Sequence, residues 1–171
     1  MITLTLITTC LLGFQDPAGL EHAVSQLNHC IGEWQVQTDF LKEDGSVAQS
    51  HDGTYQFSWV VQDRVVQGQS QIPALKQTSA ILFYLREKSQ EIEMVSVGAD
   101  GKLWIMTGKT AEEVRYSQPF ATADGGEAQL RFTRYNVEPD RFESKMEYTQ
   151  DHGKTWLPGN HQIFTRKNPS P

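Results

Sequence analysis

The stretch Glu33–Leu41, "EWQVQTDFL", decides the fold because its hydropathy alternates with a period of two. Bulky or β-branched side chains occupy every second position, at Trp34, Val36, Thr38 and Phe40. Polar or charged side chains fill the positions between them, at Gln35, Gln37 and Asp39. Such alternation is typical of a strand with one face buried and the other in solvent. The stretch therefore predicts a half-buried β-strand.

The same period continues along the rest of the chain. Nine further stretches are predicted as strands: Thr54–Val61, Arg64–Ile72, Ser79–Glu87, Glu91–Val97, Lys102–Gly108, Glu112–Gln118, Glu127–Tyr135, Asp140–Thr149 and His161–Lys167. Turn signals such as "EDGS" and "GADG" separate them. Most connections are too short for a parallel crossover, which needs about a dozen residues, so neighbouring strands are antiparallel. A meander of about ten strands removes its free edges by closing, which predicts an all-β, antiparallel up-and-down barrel.

One segment ahead of the strands has a helical period instead. Apolar residues recur at helical spacing within Pro17–Ile31, at Leu20, Val24, Leu27 and Ile31. Pro17 suits the first helical turn, Asp16 can cap it, and Gly32 can end it. We expect this helix to cover one mouth of the barrel. A barrel of about ten strands is wide enough to leave a cavity.

The first fourteen residues, Met1–Phe14, carry no charge and are almost wholly apolar or Thr. The stretch is shorter than the roughly 20 residues that a membrane-spanning helix needs. It provides the apolar region of a signal peptide but lacks a basic residue before it. We assign residues 1–15 to a signal peptide or apolar leader and residues 16–171 to a single domain, with no integral membrane segment in the mature chain. This interpretation makes the protein secreted or periplasmic, whereas a buried first strand would leave it cytoplasmic.

Composition and spacing argue against several classes of function. The 171 residues include 15 Lys and Arg against 21 Asp and Glu, a formal net charge of −6, which is unlike a nucleic-acid-binding surface. The five histidines have neither His-x-His nor His-x-x-x-His spacing, so we predict no metal site. Neither a nucleophile elbow nor a phosphate-binding loop is present. We assign no catalytic residue and leave enzymatic activity open.

The most motif-like segment is Tyr148–Trp156, "YTQDHGKTW", which resembles the Asp-box of sialidases and sortilin-like propellers. A propeller would repeat the motif in successive blades, and this chain has one copy. In such a turn the Asp151 carboxylate accepts backbone hydrogen bonds and Gly153 takes a positive φ. The segment therefore predicts a hairpin turn rather than an active site.

Four segments, taken in order, resemble one protein family over nearly the whole chain: "LNHCIGEWQV", "GTYQFSWVVQDRVVQGQSQ", "VSVGADGKLWIMTG", and "YTQDHGKTW" ahead of "HQIFTRK". They resemble an uncharacterised family of secreted bacterial proteins, a domain of unknown function with a lipocalin-like, calycin-type barrel. The resemblance implies this fold for residues 16–171 and a ligand cavity. It also implies that Trp34 plugs the barrel floor with Arg166 stacked on it. It carries no established activity.

Aromatic residues supply the candidates for a ligand site. The face formed by Tyr55, Phe57 and Trp59, with Trp104 and Met106, either lines a pocket for an apolar molecule or belongs to an ordinary core. Gln69 or Tyr84 would add polar groups that recognise a ligand or hold water. The cavity candidates are Trp34, Tyr55, Phe57, Trp59, Tyr84, Trp104 and His161.

His161 is included because the Gly-x-Trp at Gly32 also resembles the first strand of haem-binding nitrobindins. Those barrels hold haem iron through a histidine near the start of the last strand, where His161 lies. The resemblance is incomplete, since Gln35–Gln37 stand where nitrobindins have further glycines. Three hypotheses follow: a monomeric or weakly dimeric barrel that binds a small apolar molecule, a haem-binding or other cavity enzyme, and a filled barrel that acts as an interaction protein.

Overall fold

The computed structural model describes residues 17–167, which form one helix and eleven strands. The apolar leader, residues 1–15, and the expected cap Asp16 lie outside the described residues. The helix α1 spans Pro17–Cys30. The strands are β1 (Gly32–Leu41), β2 (Val47–Val61), β3 (Val65–Ile72), β4 (Gln77–Arg86), β5 (Glu91–Gly98), β6 (Leu103–Lys109), β7 (Val114–Ser117), β8 (Phe120–Ala121), β9 (Glu127–Glu138), β10 (Arg141–Thr149) and β11 (Leu157–Arg166). A single 3₁₀ turn, Pro73–Leu75, joins β3 to β4.

Ten of these strands close into an antiparallel barrel. Strands β1 to β7 pair in sequence order, β7 pairs with β9, and β9, β10, β11 and β1 complete the ring. The two-residue β8 pairs only with β9 and stays outside the ring. The predicted all-β, ten-stranded antiparallel barrel with one helix before it is confirmed.

Two strand boundaries differ from the prediction by four residues or more. Strand β2 begins at Val47 rather than Thr54, and β11 begins at Leu157 rather than His161. The added part of β2 is mostly exposed and polar, so no alternation marks it in the sequence. It forms because β1 provides a paired edge, from Val36 opposite Gly53 to Leu41 opposite Val47.

Buried aromatic side chains fill the end of the barrel next to α1. Trp34 is fully buried, and its ring centroid lies 4.9 Å from that of Phe142, which stacks at 4.2 Å on Phe164. The Trp34 indole Nε1 donates a 2.8 Å hydrogen bond to the Cys30 carbonyl. The Arg166 guanidinium lies 4.2 Å from the centre of the Trp34 ring, as expected, and donates to the Ile31 carbonyl at 2.7 Å. These contacts join the end of the helix to β1 and β11.

The helix covers this end of the barrel, but with a face slightly rotated from the predicted one. Leu20 and Val24 are only half-buried, beside the β2–β3 turn. The buried face consists of Gly19, Ala23, Gln26, Leu27 and Cys30. Gln26 can be buried because its amide is hydrogen-bonded on both sides, to the Glu112 carbonyl and to Arg115. Within residues 17–167, no helix has the length and apolar character needed to cross a membrane.

Candidate functional site

A cavity of about 430 Å³ lies inside the barrel, above the layer that contains Trp34. Its volume falls within the range of roughly 300–1,000 Å³ that is usual for small-molecule sites. Successive strands direct every second side chain inward, which gives the cavity an apolar wall. The main apolar contributions come from Phe57, Ile81, Met94, Met106, Phe132 and Phe164.

One side of the cavity has a set of polar side chains that are hydrogen-bonded to one another. The Gln162 amide Nε2 donates to the Thr38 hydroxyl and to the Tyr55 hydroxyl, both at 3.0 Å. The Ser144 hydroxyl donates to the Gln162 amide oxygen at 3.3 Å. Burial raises the pKa of Tyr55, so this phenol stays neutral at physiological pH. The group is a neutral polar strip on the wall formed by β10, β11, β1 and β2.

The rim of the cavity lies at the end opposite α1. Exposed side chains of Gln77, Asp100 and Lys102 stand there, and the Lys102 Nζ is 3.6 Å from an Asp100 carboxylate oxygen. The Trp104 ring also lines this end and packs at 5.1 Å against Phe120. A ligand would enter here, because the helix blocks the other end.

The floor of the cavity, next to α1, contains two arginines. Arg115 and Arg134 are 4% and 6% exposed. Arg134 Nε lies 3.0 Å from a carboxylate oxygen of Glu113, and Arg134 also donates to the Gln26 carbonyl at 3.2 Å. Arg115 donates a 2.8 Å hydrogen bond to the Gln26 side-chain oxygen. Burial lowers the pKa of Arg115 from 12.5 to about 10.

Sequence reasoning missed both arginines. Arg134 has the same phase on β9 as Leu130 and Phe132, and this was a usable signal. No sequence signal marked Arg115, because alternation alone would place its apolar neighbours Val114 and Tyr116 inside. The structure shows the opposite arrangement on β7, with Arg115 and Ser117 buried.

The structure brings three of the seven sequence candidates to the cavity: Tyr55, Phe57 and Trp104 line it. Trp34 lies below the floor, and Trp59 packs against the core cluster at the covered end without lining the cavity. Met106, paired with Trp104 in the sequence hypothesis, also lines the cavity.

Tyr84 lies on the outer face of the barrel. Phe83 is the inward residue of this part of β4, so the period of two directs Tyr84 outward. Its hydroxyl is hydrogen-bonded to Glu93, and this bond raises the pKa of Tyr84. Gln69 is likewise exposed, because Ser70 is the inward residue beside it.

His161 also lies outside the cavity. Gln162 takes the inward position, and the His161 ring contacts Glu143 at 2.8 Å and stacks on Tyr135 with centroids 6.2 Å apart. The ring that the nitrobindin resemblance nominated for haem iron therefore does not face the interior, and no histidine lines the cavity in residues 17–167. Within the same residues, no group of three or more metal-ligating side chains is placed to hold a metal ion.

The Asp-box-like segment forms the turn between β10 and β11. The Asp151 carboxylate accepts hydrogen bonds from the Thr155 backbone N–H and the Thr149 hydroxyl, both at 2.8 Å, and Gly153 has φ +84°. Trp156 packs on the guanidinium of Arg131 at 4.3 Å. These contacts account for the motif as a turn.

Comparison with known proteins supports the fold alone. No protein-family model and no curated protein matches the chain. The S-type phycobiliprotein lyase CpeS from Guillardia theta is 11% identical, with a TM-score of 0.53, over 92% of this chain and 99% of that one. Rv2717c from M. tuberculosis is 10% identical, with a TM-score of 0.55, over 85% and 98%. EF1p2_mFAP2b bound to DFHBI is 15% identical over the same shares, with a TM-score of 0.41. The chain thus shares the overall fold of the first two of these structures.

Proposed function

We propose that this protein binds one small, largely apolar molecule inside its barrel. The observation that carries the proposal is the cavity of about 430 Å³ between the Trp34 layer and the rim. Aromatic side chains form its walls and do not fill it. Each 100 Å² of apolar ligand surface buried there would contribute roughly 2.5 kcal/mol, less the cost of fixing the ligand.

The proposal includes the setting in which the protein would act. Residues 1–15 would serve as a leader, so that the mature chain is secreted or periplasmic and works as a monomer or weak dimer. The resemblance to secreted barrels of unknown function, carried by segments such as "LNHCIGEWQV", supports this part. The N-terminal sequence and native mass of the protein recovered from its own cells would test it.

Binding can be tested with N-phenyl-1-naphthylamine, a neutral apolar dye whose fluorescence rises in an apolar site. The wild-type chain should bind it saturably at one site. Ser96→Trp places a large ring on an inward position of β5 and should weaken binding about tenfold or more. Ser58→Trp adds the same ring on the exposed face of β2 and should leave binding unchanged.

Two results would contradict the proposal. A folded wild-type chain that shows no saturable dye binding would favour the filled-barrel, interaction-protein hypothesis. Equal binding by Ser96→Trp and the wild type would place the dye outside the cavity. Parallel titration with haemin, read by its Soret band, tests the haem hypothesis without relying on His161.

A further inference from the structure

Arg115 is a buried cation at the floor of the cavity. The residue is 4% exposed and forms part of the lining. It occupies one of the two buried positions of β7, the other being Ser117. The strand therefore directs a guanidinium into a largely apolar interior.

Within residues 17–167, no carboxylate forms an ion pair with Arg115. Its Nη2 donates to the neutral side-chain oxygen of Gln26, and its Nε is buried without a hydrogen-bond partner. The rings of Phe83 and Phe132 lie 5.7 and 5.9 Å from the guanidinium carbon. A buried charge with no counter-ion is costly, so this arrangement is incomplete as it stands.

The nearby carboxylate is already engaged by the second arginine. Glu113 contacts Arg134 Nε at 3.0 Å, and Arg134 also donates to Cys30 Sγ at 3.4 Å. With its pKa lowered to about 10, Arg115 still carries its charge at neutral pH. The two arginines and Glu113 leave the floor with one unbalanced positive charge.

Above this floor the cavity has an apolar wall beside the neutral polar strip of Thr38, Tyr55 and Gln162. Phe57, Met94 and Met106 form the wall between Arg115 and the rim, where Asp100 and Lys102 meet solvent. A carboxylate matches a guanidinium well because it can accept two parallel N–H···O hydrogen bonds. The cavity thus joins a site for an anion to a site for an apolar chain.

We propose that the ligand is an amphipathic carboxylate, bound with its carboxylate on Arg115 and its apolar part along the wall towards the rim. The inference rests on the proposed function and adds the charge and the orientation of the ligand. A cationic head group would meet two arginines. A neutral head group would leave Arg115 without a counter-ion.

Decanoic acid and decanamide form a matched pair for the test, since they differ in head-group charge and hardly in shape. Their affinities are measured by displacement of N-phenyl-1-naphthylamine at neutral pH. The wild-type chain should bind decanoate roughly 10- to 100-fold more tightly than decanamide, the range expected for hydrogen bonds to a charged partner. Arg115→Met should abolish the preference, because a thioether side chain fills the space without a charge.

Lys102→Met is the control, since it removes one positive charge at the opposite end of the same cavity. It should keep the preference for decanoate. A second measurement uses the wild-type chain, so it does not depend on how the variants fold. The Nε–H resonance of Arg115, assigned with Arg115→Lys, should shift on adding decanoate and not on adding decanamide.

The possible failures are distinguishable. If the wild type binds the dye but has equal affinity for decanoate and decanamide, the carboxylate inference is overturned and apolar binding is left intact. A preference that survives Arg115→Met, or that Lys102→Met also removes, would overturn it too, since the charge sensed would not be that of Arg115. Absence of dye binding would overturn the proposed function itself.

Discussion

Gly68 on β3 lies directly opposite Phe57 on β2, and it has the inward phase of the buried residues Val66 and Ser70. A Cβ added at Gly68 would overlap Cδ1 and Cε1 of the Phe57 ring and approach the Gln56 carbonyl oxygen to 3.2 Å. The glycine is therefore needed for space rather than for a special backbone angle. Gly68→Ala forces the ring to turn into the cavity or the two strands to separate.

Overpacking of this kind typically costs about 1–3 kcal/mol. For a domain of this length, each 1 kcal/mol corresponds to a melting-temperature change of roughly 2–4 °C. We therefore expect Gly68→Ala to melt about 2–12 °C below the wild type. Because a turned ring would occupy the ligand's space, we also expect weaker binding of N-phenyl-1-naphthylamine.

A double-mutant cycle identifies the contact responsible. Urea denaturation is measured for the wild type, Gly68→Ala, Phe57→Leu and the double variant, with the exposed Gln69→Ala as a control that should stay within about 0.5 kcal/mol of the wild type. The double variant should be more stable than the sum of the single changes predicts by at least about 0.5 kcal/mol. Additive effects, or a Gly68→Ala variant as stable as the wild type, would refute the packing argument.

Three further outcomes are expected. Arg166→Met should lower the free energy of unfolding, measured by urea denaturation, by about 2–4 kcal/mol. The substitution removes charge-assisted hydrogen bonds to the Ile31 carbonyl and to Asp140. An unchanged midpoint of the urea transition would contradict this. Hydrogen bonds from the Thr155 N–H and the Thr149 hydroxyl lower the pKa of Asp151 from 3.8 to about 2, so its contribution to stability is complete above pH 4 and lost as pH falls towards 2. The melting temperature of Asp151→Asn should therefore fall less than that of the wild type as the pH is lowered from about 4 to about 2. An equal fall would argue against the lowered pKa of Asp151. Cys30 lines the cavity, so bound decanoate should slow its alkylation by iodoacetamide in peptide mass maps; an unaffected rate would place the ligand elsewhere.

Alternation predicted the strands because most of them have one apolar face. In "EWQVQTDFL" the inward residues Trp34 and Val36 stand out against the polar Gln35 and Gln37. Trp34 and Val36 are both fully buried. Antiparallel pairing also followed from the sequence, because short turns allow only antiparallel neighbours. Closure of the ring followed because a meander removes its free edges by closing. The stacking of Arg166 on Trp34 came from the family resemblance rather than from any spacing.

Alternation failed where both faces of a strand are apolar or where a charge faces inward. The stretch "ILFYL" gives no phase, so Tyr84 could not be placed, and the structure puts it outside. On β7 the pattern would have buried Val114 and Tyr116, whereas Arg115 is the inward residue. A buried arginine depends on partners from distant parts of the chain, here Gln26 on α1 and the rings of Phe83 and Phe132. Only the folded barrel brings them together.

Native mass spectrometry with a mixture of decanoate, decanamide and haemin tests the central claim, that the barrel encloses a ligand-binding cavity, most directly. The wild-type chain is predicted to carry one decanoate per chain, and Ser96→Trp to carry much less under the same conditions. A bare wild-type mass, or an adduct that Ser96→Trp retains in full, would contradict the claim.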